Sequence, residues 1–157
     1  MKKSPGVLAT NRKVLRDYRI LESVEAGIML VGTEIKSIRN RRVSLDDSFA
    51  RIEDGEVFLY NMHVSPYDQG GRYNVEPTRL RKLLLHRQQI DRLEGFLTQK
   101  GCALVPLRMY LKHGLAKIEL AVGRGKKQYE KRETVRTREI ERDLRRTFKA
   151  FRRKAKP

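Results

Sequence analysis

The sequence is poor in the residues from which reactive centres and covalent frameworks are built. It has one cysteine, Cys102, which excludes an internal disulfide and a cysteine-based zinc site. It has no tryptophan, and its three histidines, His63, His86 and His113, lie far apart and outside any H-E-x-x-H pattern. The longest apolar runs have four residues (Ile28–Val31, Val57–Tyr60 and Cys102–Val105), whereas a membrane-spanning helix needs roughly 20. Near the start only Val7, Leu8 and Ala9 are apolar in succession, and a secretory signal needs about 7–15. A soluble, cytoplasmic protein without membrane attachment is expected. Hydrophobic residues make up 39% of 157 residues, enough for one modest core and not for two.

Negative charge is also scarce. Nineteen Asp and Glu face 36 Lys and Arg, a net charge of +17. Such a field attracts polyanions and raises association rates, and each phosphate neutralised releases counterions, so binding weakens steeply with salt. The charge is uneven: residues 124–157 carry a net +10 and residues 1–123 a net +7. Apolar content falls at the same point. A boundary is placed at Gly123-Arg124-Gly125, where two glycines allow the backbone to turn. Residues 1–123 are one domain and residues 124–157 a basic tail.

The first part reads mainly as β-structure. Tyr18–Ser23, Ile28–Val31, Thr33–Arg39, Ser48–Glu53, Val57–Val64, Ala103–His113 and Leu115–Val122 are the strand candidates. Asp54-Gly55 and Gly114 mark hairpin turns. Short strands joined by glycine-bearing turns suggest a small antiparallel barrel of OB type. A helix lies within Thr78–Lys100, with Leu83, Ile90, Leu93 and Leu97 on one face and Gly101 as its stop. Either Pro77-Thr78 opens it, or Leu83–Leu85 is extended and it begins at His86. Ser44–Ser48 is compatible with one short helical turn. In the tail, Ile140, Leu144, Phe148 and Phe151 form a narrow helical stripe. The tail is expected to be disordered alone and helical when bound to an anionic groove.

Catalytic constellations are weak. Gly123–Lys126 resembles a fragment of a P-loop but lacks the preceding spaced glycine and the Ser or Thr after the lysine. Cys102 precedes Ala-Leu-Val in a candidate strand and reads as a small buried hydrophobe. The carboxylates Asp46-Asp47 and Glu22/Glu25 are the sole candidates for a metal-dependent nuclease. No enzyme, metal site or cofactor is expected. Basic residues do recur beside tyrosines: Arg16 and Arg19 at Tyr18, Arg72 at Tyr73, and Lys126, Lys127, Lys131 and Arg132 around Tyr129. Aromatic faces stack on unpaired bases, and RNA loops offer such bases. An RNA-binding module is the favoured class, with a structural ribosomal protein or an RNA-processing enzyme as the other two.

Several segments together resemble the SsrA-binding protein (small protein B) family. They are Asn11-Arg12-Lys13, Tyr18, Glu25–Ile28, Gly32–Arg39, Arg79–His86 and Gly125–Arg132, in order and at matching spacing. The resemblance implies an OB-like barrel of about six antiparallel strands with two or three helices and a basic C-terminal tail. It implies a non-enzymatic cytoplasmic protein that binds the tRNA-like domain of transfer-messenger RNA and delivers it to stalled 70S ribosomes for trans-translation. Elongation factor Tu and alanyl-tRNA synthetase act on the same RNA, and the protein is expected to be a monomer. By the same resemblance, Asn11, Tyr18, Glu25, Lys36, Leu85 and Lys117 belong to the RNA-binding face. Lys126, Lys127, Tyr129, Glu130, Lys131 and Arg132 match the segment that contacts the ribosomal decoding region, where the tail reads the empty decoding centre and message path. Glu130 stands where the family often has Asp. Glu25 either accepts from base amines or 2′-hydroxyls or holds a nearby lysine, or it is a strand or turn position that fixes local geometry, and Leu85 either touches RNA or belongs to the core.

Overall fold

The computed structural model describes the backbone of residues 6–154 and the side chains of that span except those of 129 and 150–154. In chain order the elements are β1 (Gly6–Thr10), α1 (Arg12–Asp17), β2 (Tyr18–Ile28), α2 (Gly32–Arg39), β3 (Val43–Ser44), β4 (Phe49–Glu53), β5 (Glu56–Tyr60), β6 (His63–Val64), β7 (Arg81–Leu84), α3 (Arg87–Leu97), β8 (Cys102–Lys112), β9 (Leu115–Gly125) and α4 (Gln128–Lys154). A single 3-10 turn at Gly71–Tyr73 lies between β6 and β7.

Pairing closes the main sheet on itself. The order runs β8-β4-β5-β7-β2-β9, and β9 pairs back to β8, with every ladder antiparallel. Six strands therefore form a barrel, as expected, and β1 adds to it along β8. Closure removes the open edges that would otherwise template aggregation. Both expected hairpins are present. Asp54 and Gly55 have φ of 50° and 75°, and His113 and Gly114 have 51° and 77°. Positive φ at both central residues is the twist that a two-residue hairpin needs.

The barrel interior is filled by Ala26, Val57, Leu59, Leu83, Leu104, Met109, Ile118, Leu120 and Val122. α2 adds Ile38, and α3 adds Ile90 and Leu93. The helix in the Thr78–Lys100 stretch takes the second of the two starts foreseen. Leu83 is on β7, and His86 caps α3, its N–H donating to Gln89 Oε1 at 3.0 Å.

Three local expectations are corrected. Ile28–Val31 is not a strand of its own: Ile28 ends β2 and Val31 precedes α2. Thr33–Arg39 is not a strand but most of α2. Ile35 and Ile38 are three apart, a helical spacing, and Glu34 Oε2 accepts from the Val31 N–H at 3.0 Å, tying down the first turn. Ser44–Ser48 is not helical: β3 ends at Ser44 and Asp46-Asp47 is a turn, with Asp47 at φ 60°.

Glu34 is also the centre of a buried ionic cluster. It is 3% exposed and Arg81 is 0% exposed. Arg81 donates to Glu34 Oε1 (2.9 Å) and to the carbonyls of Met62 (2.6 Å), Arg79 (3.0 Å) and Pro77 (3.0 Å). Arg79 donates to both Glu34 oxygens, at 3.0 and 2.6 Å. Burial opposes ionisation of Glu34. The bonds from Arg79 and the Val31 N–H and the charge of Arg81 outweigh it and hold the carboxyl below its ordinary value. The cluster fastens α2 to the segment that leads into β7.

The chain separates into two compact units, Met1–Gly125 and Lys126–Pro157. β9 runs through Gly123 to Gly125, and α4 occupies the second unit. α4 has 27 residues, roughly 40 Å of helix at 1.5 Å per residue.

Candidate nucleic-acid interface

The candidate site lies on the outer face of β2, β9 and β8. Ile118, Leu120 and Val122 of β9 are in the core, so by alternation Lys117 and Glu119 face outward. Directly paired residues share a face. The pairs Glu25–Glu119 and Gly27–Lys117 place Glu25 on that face, and Glu119–Arg108, Lys117–Tyr110 and Leu115–Lys112 bring in β8. Tyr18 is seven residues from Glu25, an odd spacing that would put it on the opposite face of a regular strand. The bulge between Ile20 and Glu22 corrects the parity, and Tyr18 pairs with Gly125 on the same face as Glu25. A matching bulge between Pro106 and Arg108 does the same for β8. Period-2 reading of the sequence could not find this, because the extra residues carry no distinctive side chain.

Glu25 is held from two sides. Tyr110 donates its hydroxyl to Glu25 Oε2, and Lys112 Nζ lies 3.1 Å from both carboxylate oxygens. The bond from Tyr110 lowers the Glu25 pKa against the smaller opposing effect of burial, with Lys112 and Lys117 adding to it. Conversely, burial and the bond to Glu25 push Tyr110 up to about 12. Arg108 donates to Glu119 and lies over the Tyr110 ring, 5.9 Å from its centroid.

Next to Glu25 a shallow open cleft is lined by Gly27, Leu84, Leu85, His86, Gln89 and Lys117. The cleft thus unites three of the expected residues, Glu25, Leu85 and Lys117, drawn from β2, the β7–α3 junction and β9. Tyr18 stands apart, at the far end of β2, roughly 20 Å away at ~3.3 Å per residue. Its ring packs over Gly123, where an added Cβ would stand 2.9 Å from Tyr18 Cβ. Gly123 therefore serves close approach and not a turn. Lys36 is exposed on α2, its Nζ 5.2 Å from the centroid of Tyr67.

Asn11 differs from the rest. It is 1% exposed, accepts from the Val14 N–H at 3.2 Å and donates to the Leu45 carbonyl at 2.9 Å. Its side chain caps α1 and joins it to the loop after β3, and no surface of it is left to meet a ligand. Tyr110, Lys112, Gln89 and His86 were not singled out for this face by sequence. Tyr110 and Lys112 sit in an ordinary alternating strand, and only the ladder register brings them to Glu25.

In the second unit, Lys127 donates its N–H to Glu130 Oε2 at 3.2 Å, so Glu130 satisfies a donor at the start of α4. Lys126 Nζ reaches Thr134 Oγ1 at 3.1 Å. Lys131 closes a backbone bond to Lys127 at 3.1 Å, and Arg132 is exposed. The Tyr129 and Phe151 side chains lie outside the described residues. Ile140, Leu144 and Phe148 are exposed along one stripe. No described helix is long and apolar enough to cross a membrane.

A closed six-stranded antiparallel barrel, a tyrosine- and lysine-bearing outer face and a separate basic helix define a small OB-like barrel protein of the polyanion-binding kind. The SmpB protein family profile matches residues 8–150. An SsrA-binding protein of Geobacillus kaustophilus is 57% identical over 150 residues, 95% of this chain and 97% of that one. One from Caldicellulosiruptor bescii is 56% identical over 145 residues, 92% of each chain. A solved chain described as tmRNA-SmpB, on a journey to the center of the bacterial ribosome, is 48% identical with a TM-score of 0.66, covering 81% of this chain and 93% of that one. The chain belongs to the SmpB protein family.

Proposed function

We propose that this chain binds the tRNA-like domain of transfer-messenger RNA with the outer face of its barrel and accompanies it to stalled ribosomes for trans-translation. The observation that carries this reading is family membership along nearly the whole chain, with relatives of 56–57% identity named for SsrA binding. The chemistry of the face is compatible. Lys117 neutralises phosphate on the face and Lys36 does so from α2, Tyr18 supplies an aromatic surface, and Leu85 gives the cleft an apolar wall. Glu25 acts by holding Lys112 and Tyr110 in place, because most of its acceptor positions are already taken. Asn11 contributes by positioning α1. The protein itself catalyses nothing. It acts as a monomer in the cytoplasm, and elongation factor Tu and alanyl-tRNA synthetase meet it through the shared RNA.

The second unit reads the ribosome. Lys126, Lys127, Tyr129, Glu130, Lys131 and Arg132 approach the decoding region, and the stripe of Ile140, Leu144 and Phe148 packs along the message path. A chain lacking residues 133–157 tests the division of labour. It is expected to bind the RNA as the full chain does and to lose tagging of stalled nascent chains. Loss of RNA binding would show that the barrel alone is not the RNA site. Full tagging by an Ile140/Leu144 double polar variant would remove the stripe from the account.

A further inference from the structure

The segment Ser65–Pro77, between β6 and β7, holds an aromatic side chain out into water at a fixed position. Asn74 Nδ2 donates to the Tyr67 carbonyl at 2.9 Å, and Asn74 Oδ1 accepts from the Tyr67 N–H at 3.0 Å. This amide clamp needs Gly70: a Cβ there would stand 2.5 Å from Asn74 Oδ1. The Tyr73 N–H donates to the Gly70 carbonyl at 2.9 Å, and the Tyr73 carbonyl accepts from Thr33 Oγ1 of α2 at 3.3 Å. The Tyr73 backbone is thus pinned on both sides, yet the residue is 69% exposed. Arg72 covers one region of its ring, 5.2 Å from the centroid, and reaches its hydroxyl at 3.2 Å. Lys36 sits over Tyr67 in the same clamp.

The segment carries cations. Lys36 lies over Tyr67, Arg42 pairs with Asp68 and accepts through its carbonyl from the Ser65 N–H, and Arg72 lies over Tyr73. The acidic residues in these segments are Glu34, buried under Arg79 and Arg81, Asp68, paired with Arg42 at 2.9 Å, and Glu76. An aromatic ring stands in water beside the Arg72 guanidinium on a backbone the fold has already ordered, which lowers the ordering cost of binding to it. A base stacks on an aromatic face while cations take the flanking phosphates.

We infer that Tyr73, with Arg72 and Lys36, forms a stacking site for an unpaired base of the transfer-messenger RNA tRNA-like domain, separate from the cleft at Glu25. The inference rests on the reading given under Proposed function. Its test is direct titration of the tRNA-like domain, carrying 2-aminopurine at its unpaired positions in turn, into wild type, Y73A, Y73F and R72A. Thermal melts check that each variant folds. Y73A is expected to bind about tenfold more weakly and to abolish quenching at one position, in line with the loss of one stacked base. Y73F is expected to bind like wild type. R72A is expected to lower the slope of log K against log salt by roughly 0.7–0.9, one phosphate contact. Wild-type affinity and quenching in a folded Y73A overturn this inference alone. Failure of the wild type to bind the RNA at all overturns the functional reading as well.

Discussion

Two carboxylates show what single residues do in this protein. Glu34 is buried as the counter-charge of Arg81, and Glu25 is on the surface as the anchor of Tyr110 and Lys112. Replacing Glu34 by Gln leaves the Arg81 guanidinium inside without a partner charge, which costs about 3–5 kcal/mol. Urea denaturation should show a loss of that size, and a loss below about 1 kcal/mol would refute the cluster's role. The pH dependence has a definite sign. Because the folded pKa of Glu34 is lowered, its contribution is fully present above the ordinary glutamate value of ~4.3 and disappears as pH falls through the lower folded value. Melting temperatures taken from pH 6 to pH 3 should therefore drop more steeply in wild type than in E34Q. At the surface, Glu25→Ala removes an acceptor that keeps Tyr110 protonated. Absorbance titration at alkaline pH should show one tyrosine ionising at lower pH in the variant, and an unchanged titration would mean that the hydroxyl bond does not form. Neither role was legible in the sequence. Arg81 sits among the basic residues Arg79 and Lys82 with nothing to set it apart in sequence, and its burial follows from the Glu34 carboxylate and three backbone carbonyls, those of Met62, Pro77 and Arg79.

At the scale of elements, the legible features were those with local causes. Asp54-Gly55 and His113-Gly114 announce their hairpins because the turn itself demands positive φ. α3 is legible in Ile90, Leu93 and Leu97, whose spacing survives into the packed helix. α2 was misread because β-branched Thr33, Ile35 and Ile38 favour strands locally. The capping bond from Glu34 and the burial of Ile38 decide otherwise. The bulges in β2 and β8 were invisible for a related reason: their effect is on register, and register belongs to the pair of strands. Gly123 makes the consequence testable. In Gly123→Ala the new methyl would press on Tyr18, whose Cδ1 would be 3.0 Å away. A destabilisation of roughly 1–3 kcal/mol is expected, read by thermal melting, together with weaker RNA binding through the displaced Tyr18 ring. Wild-type stability would show that the ring moves aside freely.

Across the whole molecule, a +17 charge ensures attraction to any nucleic acid, so affinity alone says little about identity. We propose more than attraction: one face of a closed barrel, with Glu25, Leu85 and Lys117 around a cleft and Tyr18 on the same strand as Glu25, recognises one folded RNA. The barrel itself followed from short strands and glycine turns, whereas the grouping of its candidate site residues needed the ladder. The most direct measurement is a gel-shift titration with the tRNA-like domain of transfer-messenger RNA, at near-physiological salt, with an elongator tRNA as competitor. Tight binding that the elongator tRNA fails to displace is the result predicted. Equal binding of both RNAs, lost together as salt rises, would mean that charge alone is acting and would contradict a specific face.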